Sequence, residues 1–225
     1  MRILINGLAA LLCLAALPFT AHAASRTTAI AVLPAGGISS TVLRLAVTAL
    51  QCATTRGAIA RPRTLTVIDY SRPSVEPRLW VFDLNAGGKL LYKELVAHGR
   101  NTGDNIARQF SDAMNSRQSS LGLFVTADTY VGSNGYSLRL NGLEPGFNGR
   151  ARARAIVMHG APYVDASVAA AQGRIGRSWG CPAVRDEIAR PLIDAIRGGG
   201  VIFSYYPDDD WLARSRFLNE CGRAG

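Results

Sequence analysis

Two side chains in this sequence have the type and the setting for covalent chemistry. Cys181 lies in the glycine-flanked run Gly176-Arg177-Ser178-Trp179-Gly180-Cys181-Pro182, and His159 closes the apolar run Ala155-Ile156-Val157-Met158, 22 positions earlier. A thiol attacks as its thiolate, and a neighbouring imidazole and a helix N-terminus are the means by which proteins lower a cysteine pKa. The residues after Cys181 are patterned as a helix, so both means are expected here. Gly180 can adopt backbone conformations that a side chain would restrict, which makes the N–H groups of Gly180 and Cys181 candidate donors to a developing oxyanion. His98 is the other histidine beyond residue 22, and the alternative or accessory base. Together these residues point to acyl transfer on a cysteine. Singly, each has a plainer reading, since an isolated cysteine is most often a small buried hydrophobe and an isolated histidine a hydrogen-bonded structural residue.

Other chemistries find less support. Two histidines and scattered cysteines do not match zinc-ligand spacing, so no metal site is expected. Neither a P-loop nor a dinucleotide fingerprint occurs, and serine-hydrolase chemistry is not expected, so the reading calls for no cofactor.

Composition and the N-terminal segment bear on where such an enzyme would act. Met1-Arg2 gives a short positive start, Ile3 to Phe19 is almost wholly apolar, and Ala21-His22-Ala23 fits the small-x-small cleavage rule, so residues 1–23 read as an export signal. A membrane anchor is the competing reading, but the run is short for a span and Pro18 interrupts its end. The expected mature protein is exported to the periplasm or cell envelope, is monomeric, and is not inserted in the membrane after cleavage. Roughly 200 residues then remain, enough for one domain with a sizeable core. The formal charge is +9, or +8 without Arg2, and nearly all the basic residues are arginine, with Lys89 and Lys93 the two lysines. That balance suits an acidic polymer such as cell wall. The arginines are scattered apart from Arg150, Arg152 and Arg154, and no nucleic-acid motif accompanies them, so no nucleic-acid partner is expected. Beyond the signal the cysteines are Cys52, Cys181 and Cys221. In an oxidising compartment an odd count suggests one bridge and one free thiol, which pairs Cys52 with Cys221 if Cys181 is the reactive residue. Two separate buried thiols are the alternative.

The elements that must position Cys181 and His159 are mostly strands. Ser39-Ser40-Thr41 offers N-caps for a helix with Val42, Leu45, Ala46, Ala49 and Leu50 on one face, stopped by Gly57. Residues 24–64 thus read as a helical lead-in and 65–225 as the catalytic domain. β-Rich runs occupy 65–70, 78–83, 89–97, 121–129, 136–143 and 155–159, with turn signals at Asn85-Ala86-Gly87-Gly88 and Gly132-Ser133-Asn134-Gly135. Residues 99–120 are polar, with a short helix expected near 105–114. Pro182 to Arg197 has a helical pattern that Pro191 should kink or restart, Gly198-Gly199-Gly200 ends it, and Val201 to Tyr206 is a closing strand. The fold class is mainly β, largely antiparallel, with a few peripheral α-helices.

His159-Gly160 followed by Ser178-Trp179-Gly180-Cys181 resembles the catalytic signature of the L,D-transpeptidase (YkuD-type) family: a histidine, a spacer, then Ser/Thr-His-Gly-Cys. Further blocks look like the murein L,D-transpeptidase catalytic-domain branch: Val96-Ala97-His98-Gly99, Ser119-Ser120-Leu121-Gly122, Ser137-Leu138-Arg139-Leu140, Arg152 through Ala161, and Gly180-Cys181-Pro182-Ala183-Val184. The likeness spans roughly Leu65 to Tyr206. It implies a β-rich domain in which Cys181 attacks the carbonyl of the third residue of a peptidoglycan stem, with His159 as general base and later acid. It also implies that Gly160 supplies a carbonyl or spacing near the imidazole, and that Ser178 belongs to the signature loop. The thioester would then pass its acyl group to an amine of a neighbouring stem, giving a cross-link. Alternatives are transfer to water, as in an L,D-carboxypeptidase or amidase, and a catalytically idle wall-binding domain. Two residues depart from the family pattern. Trp179 stands where most members have histidine, and Ala183 where a polar or arginine residue often follows; both bear on acceptor specificity more than on the nucleophile.

Overall fold

The computed structural model describes residues 36–221; the export signal read at 1–23 and the first part of the lead-in lie outside them. Eight strands, β1 (Thr64–Asp69), β2 (Leu79–Asp83), β3 (Lys89–Glu94), β4 (Gly122–Gly132), β5 (Gly135–Gly142), β6 (Val157–Gly160), β7 (Ala183–Val184) and β8 (Val201–Tyr205), form one sheet of order β3-β2-β1-β8-β4-β5-β6-β7. Only β1–β8 and β6–β7 pair in parallel. Five helices accompany the sheet among the described residues: α1 (Ser40–Thr55), α2 (Ala166–Gln172), α3 (Asp186–Ile196), α4 (Asp209–Arg214) and α5 (Arg216–Asn219). The β-rich class read from the sequence is the one observed.

The central strands alternate between two cores. Leu65, Val67, Trp80, Phe82, Val201 and Phe203 face one, while Ile68, Leu79, Val81 and Ile202 face the other. A sheet covered on both faces is apolar at most positions, which is why these strands read as largely apolar runs, with the buried Thr64, Thr66, Asp69 and Ser204 among the exceptions. Helix α1 covers the first face with Val42, Ala46, Ala49 and Leu50, joined by Trp211 of α4 and Phe217 of α5. Helix α3 covers the second with Ala189, Leu192, Ile193 and Ile196. None of the five helices is long and apolar enough to cross a membrane.

Two local expectations are corrected. The helix expected from Pro182 starts at Asp186, because Ala183 and Val184 are taken up by β7, and it continues through Pro191 unbroken. Proline there removes one bond, to the carbonyl of Glu187 in the first turn, and the buried face of α3 outweighs that loss. No helix forms at 105–114. The N–H groups of Arg108 and Gln109 both donate to the Thr102 carbonyl (2.8 and 3.0 Å), which holds that stretch as a loop.

The two ends of the sheet meet at one seam. Ala97, beyond β3, bridges Ala183 of β7, and Gly99 bridges Ser178. The loop that carries Cys181 is therefore held between the chain that follows β3 and strand β6, at the point where the sheet closes on itself.

Cys52 of α1 is bridged to Cys221, with Cα atoms 5.5 Å apart and a separation of 169 residues, and Cys181 is a free thiol. Tying α1 to the chain beyond α5 restricts the unfolded state and should contribute about 2–4 kcal/mol. Protein beginning at Ala24, denatured without reductant, should therefore titrate one thiol, and reduction should lower its melting temperature by about 5–10 °C. Three titrating thiols would contradict the bridge.

Candidate active site

The loop Ser178–Cys181 is gripped by its neighbours. The Ser178 N–H donates to the His98 carbonyl (3.0 Å) and the Ser178 carbonyl accepts from the Arg100 N–H (2.8 Å). The Ser178 hydroxyl donates to the Cys181 carbonyl (2.6 Å) and accepts from the Gly180 N–H (3.1 Å), stapling the turn across the nucleophile. Gly180 has φ +121°, and a Cβ there would come within 2.7 Å of the Gln118 carbonyl oxygen and 3.0 Å of Ile156 Cδ1. Both conformation and space thus require glycine. The Gly180 N–H is engaged by the Ser178 hydroxyl, whereas the Cys181 N–H finds no acceptor among the described residues.

The run Gly176-Arg177-Ser178-Trp179-Gly180 also spells Gly-x-Ser-x-Gly, the nucleophile elbow of serine hydrolases. That motif works only as a strand–turn–helix elbow with its serine oxygen exposed. Here Ser178 is 5% exposed, its hydroxyl is engaged on both sides, and the next helix begins only at Asp186. Ser178 therefore does not sit in such an elbow, although the letters match.

Strand β6 carries His159, and the loop leading into β7, its parallel neighbour, carries Cys181. His159 pairs with Ala183, and the Val157 N–H, two residues before His159, donates to Cys181 Sγ at 3.5 Å. The thiol's second contact is the Ala155 carbonyl at 3.8 Å, toward which the S–H points. His159 Nδ1 lies 2.7 Å from the Gly160 carbonyl and so carries the ring proton, which leaves Nε2 as the basic nitrogen. Gly160 itself packs against α3, where a Cβ would meet Asp186 Oδ1 at 2.6 Å. The nearby Asp186 charge favours the imidazolium, yet burial dominates and holds the His159 pKa below its ordinary value.

Burial also sets the nucleophile's resting state. It pushes the Cys181 thiol above its ordinary value, against the opposing effects of the Val157 N–H and the Arg154 guanidinium. The expected helix N-terminus does not help, because α3 starts five residues on and opens with Asp186 and Glu187. Both directions favour a neutral thiol and a neutral imidazole at rest over a preformed ion pair. The thiolate absorbance that Cys181→Ala removes should accordingly rise with a midpoint above the ordinary cysteine value. Activity, which needs a neutral His159, should fall on the acid side only below pH 6.5. A thiolate already present at neutral pH would contradict the assignment.

His98 is not available as a base. It is 1% exposed, its Nδ1 accepts from the Arg78 guanidinium (2.8 Å), and its Nε2 faces the Gly103 carbonyl (3.2 Å). Burial, then Arg78, lowers its pKa to about 4. Its backbone carbonyl, holding Ser178, is what serves the loop.

Two neighbours of Cys181 were not singled out by sequence. Arg154 donates to the carbonyls of Ser111 and Gln118 (2.8 and 2.7 Å) and to the hydroxyls of Ser116 and Ser120 (3.1 and 2.6 Å), fastening the long loop beneath Gly180. Half-buried Tyr163 is pushed up to about 12, first by burial and then by the proximity of Cys181 and Asp186. The clustering of Arg150, Arg152 and Arg154 was the available signal for the first; Tyr163 left none. Beside the loop opens a cavity of about 480 Å³ whose walls include Met114, Asn115, Arg117, Arg154, Ala155 and Trp179. Neither this cavity, which reaches the site through Ala155, nor a second cleft of the same volume at Phe110, Asp112, Phe147 and Asp208 is lined by Cys181 or His159.

Residues 35–205, a stretch that includes both Cys181 and His159, match the family described as the L,D-transpeptidase catalytic domain. The chain belongs to that family. Comparison with curated protein sequences gives no match. Among solved structures the chain is similar to an L,D-transpeptidase from Mycobacterium smegmatis, at 14% identity over 64% of this chain and 59% of that one, with a TM-score of 0.40. It is likewise similar to an L,D-transpeptidase from Stackebrandtia nassauensis, at 13% identity over 81% of this chain and 75% of that one, with a TM-score of 0.40. The matched part thus spans less than two thirds of the M. smegmatis chain.

Proposed function

We propose that this protein is a cysteine acyltransferase acting on peptidoglycan stem peptides in the cell envelope, with Cys181 as nucleophile and His159 as general base. The reading rests on the free thiol of Cys181 at the sheet seam, in the loop leading into β7, and on His159 of the neighbouring strand β6, whose Nδ1 is tied to the Gly160 carbonyl. His159 Nε2 takes the thiol proton as sulfur attacks the carbonyl of the third stem residue. The Cys181 N–H receives the oxyanion, and the imidazolium then protonates the departing amine of the terminal D-residue. The thioester passes to an amine of a second stem, forming a new peptide bond and regenerating the thiol. No cofactor enters this sequence.

Incubation of the exported protein with purified sacculi tests the reading. New dimers joined through third-residue carbonyls are the expected product. Shortened stems without dimers would make the protein an L,D-carboxypeptidase, and unaltered stems with retained binding would make it a wall-binding domain.

A further inference from the structure

We propose that Arg117, stacked on Trp179, is a receptor for a carboxylate of the donor stem, so that this chain selects donors bearing an acid rather than an amide near the scissile bond. The inference rests on the acyl-transfer reading above and names a substrate feature for it.

Trp179 occupies the loop two residues before the nucleophile and is 68% exposed, whereas Trp80 and Trp211 are fully buried. The Arg117 guanidinium carbon lies 4.9 Å from the centre of its ring. Stacking of this kind holds the planar cation flat and leaves its in-plane N–H groups to receive a carboxylate in bidentate fashion. Two arginines line the cavity, and they differ. Arg154 is saturated by four protein oxygens. Arg117 makes no side-chain hydrogen bond or ion pair among the described residues, and its charge is unmatched.

The backbone is shaped for the same cavity. Of the four non-glycine residues with positive φ among the described residues, three line it: Asn115 (58°), Arg117 (55°) and Ala155 (54°). Each such residue costs about 1 kcal/mol, and conformations of that kind gather where a site needs them. The Arg117 carbonyl accepts from the Asn101 N–H (3.2 Å), which fixes the main chain while the guanidinium stays unengaged. The histidine-to-tryptophan departure thereby gains a role, because a tryptophan at 179 presents a broader face on which an arginine can rest than an imidazole would. The donor offers carboxylates from two sources, the terminal D-residue and any acidic side chain of the third residue.

The test uses the full exported chain and a synthetic donor tetrapeptide in three forms: free acid, terminal amide, and third-residue side-chain amide. Wild type should favour the free acid over one of the two amides by about tenfold in kcat/KM, and that amide identifies the carboxylate read. In Arg117→Gln the preference should vanish through a higher KM for the acid, with partial rescue in Arg117→Lys. Persistence of the preference in Arg117→Gln, its absence in wild type, or equal slowing of all three donors would overturn the proposal. A second readout needs no turnover, because Trp179 is the sole exposed tryptophan. In Cys181→Ala, iodide should quench its fluorescence about twofold more strongly than in the Cys181→Ala/Arg117→Gln double variant, with acrylamide quenching alike in both. The free-acid peptide should compete with iodide. If no donor turns over and this readout behaves as stated, the acyl-transfer reading fails and the receptor stands; if donors turn over and iodide quenching ignores Arg117, the reverse holds.

Discussion

Replacing Cys181 with serine should cost about a thousandfold or more in turnover while the protein stays folded. The two side chains differ by one atom, and the sulfur's neighbours, the Val157 N–H and the Ala155 carbonyl, can serve a hydroxyl equally well. The loss is chemical. A neutral imidazole whose pKa burial holds below the ordinary value is a weak base, adequate for a thiol and far from adequate for an alcohol. His159→Ala should lose a comparable factor, and the double variant little more, because nucleophile and base act as a unit. Turnover of stem peptides by each variant, with a thermal melt as the folding control, checks this. A double variant much slower than either single one would point to a different base, and His98 could fill that role only by breaking its bonds to Arg78 and Gly103.

Arg154→Met should lower stability by about 3–5 kcal/mol, a drop in melting temperature of about 10 °C for a domain of this size. The Arg154 side chain is 3% exposed, and its removal leaves the carbonyls of Ser111 and Gln118 and the hydroxyls of Ser116 and Ser120 without their donor. Asp112, 3.9 Å away, would keep only the Arg150 N–H (3.0 Å) as its partner. An unsatisfied buried acceptor costs more than the bond it lost was worth, so the effects should accumulate. The same change removes a cation that opposes the rise in the Cys181 pKa, so the thiolate should appear at still higher pH. A melt within 2 °C of wild type, or an unmoved thiol titration, would refute the role assigned to Arg154.

The strands were legible because their two-sided burial leaves largely apolar runs, and His159 and Cys181 stood out by residue type and by family likeness. The seam was not legible. The two-residue strand Ala183–Val184 is too short to carry a period, so its residues read as the start of the helix that follows. That one misreading also produced the expectation of a helix dipole at Cys181. Helix α2 was missed because none of its residues is buried, which leaves no apolar stripe to detect. The loop at 99–120 has no repeat because it is ordered by side chains, with Thr102 receiving the Ser119 N–H (2.8 Å) and Ser119 the Gly99 N–H (3.0 Å). Such contacts join residues 17 and 20 positions apart and leave no local pattern. The occupied N–H of Gly180 could not be read either, since it depends on where the Ser178 hydroxyl turns.

The most direct test of the nucleophile is intact-mass analysis after brief incubation with a stem tetrapeptide. The wild-type protein should gain the mass of the donor less the free amino acid released from its terminus, held as a thioester that hydroxylamine removes, while Cys181→Ala should gain nothing. An adduct of the same mass on Cys181→Ala, or none on the wild type while its donor is consumed, would contradict the assignment of Cys181.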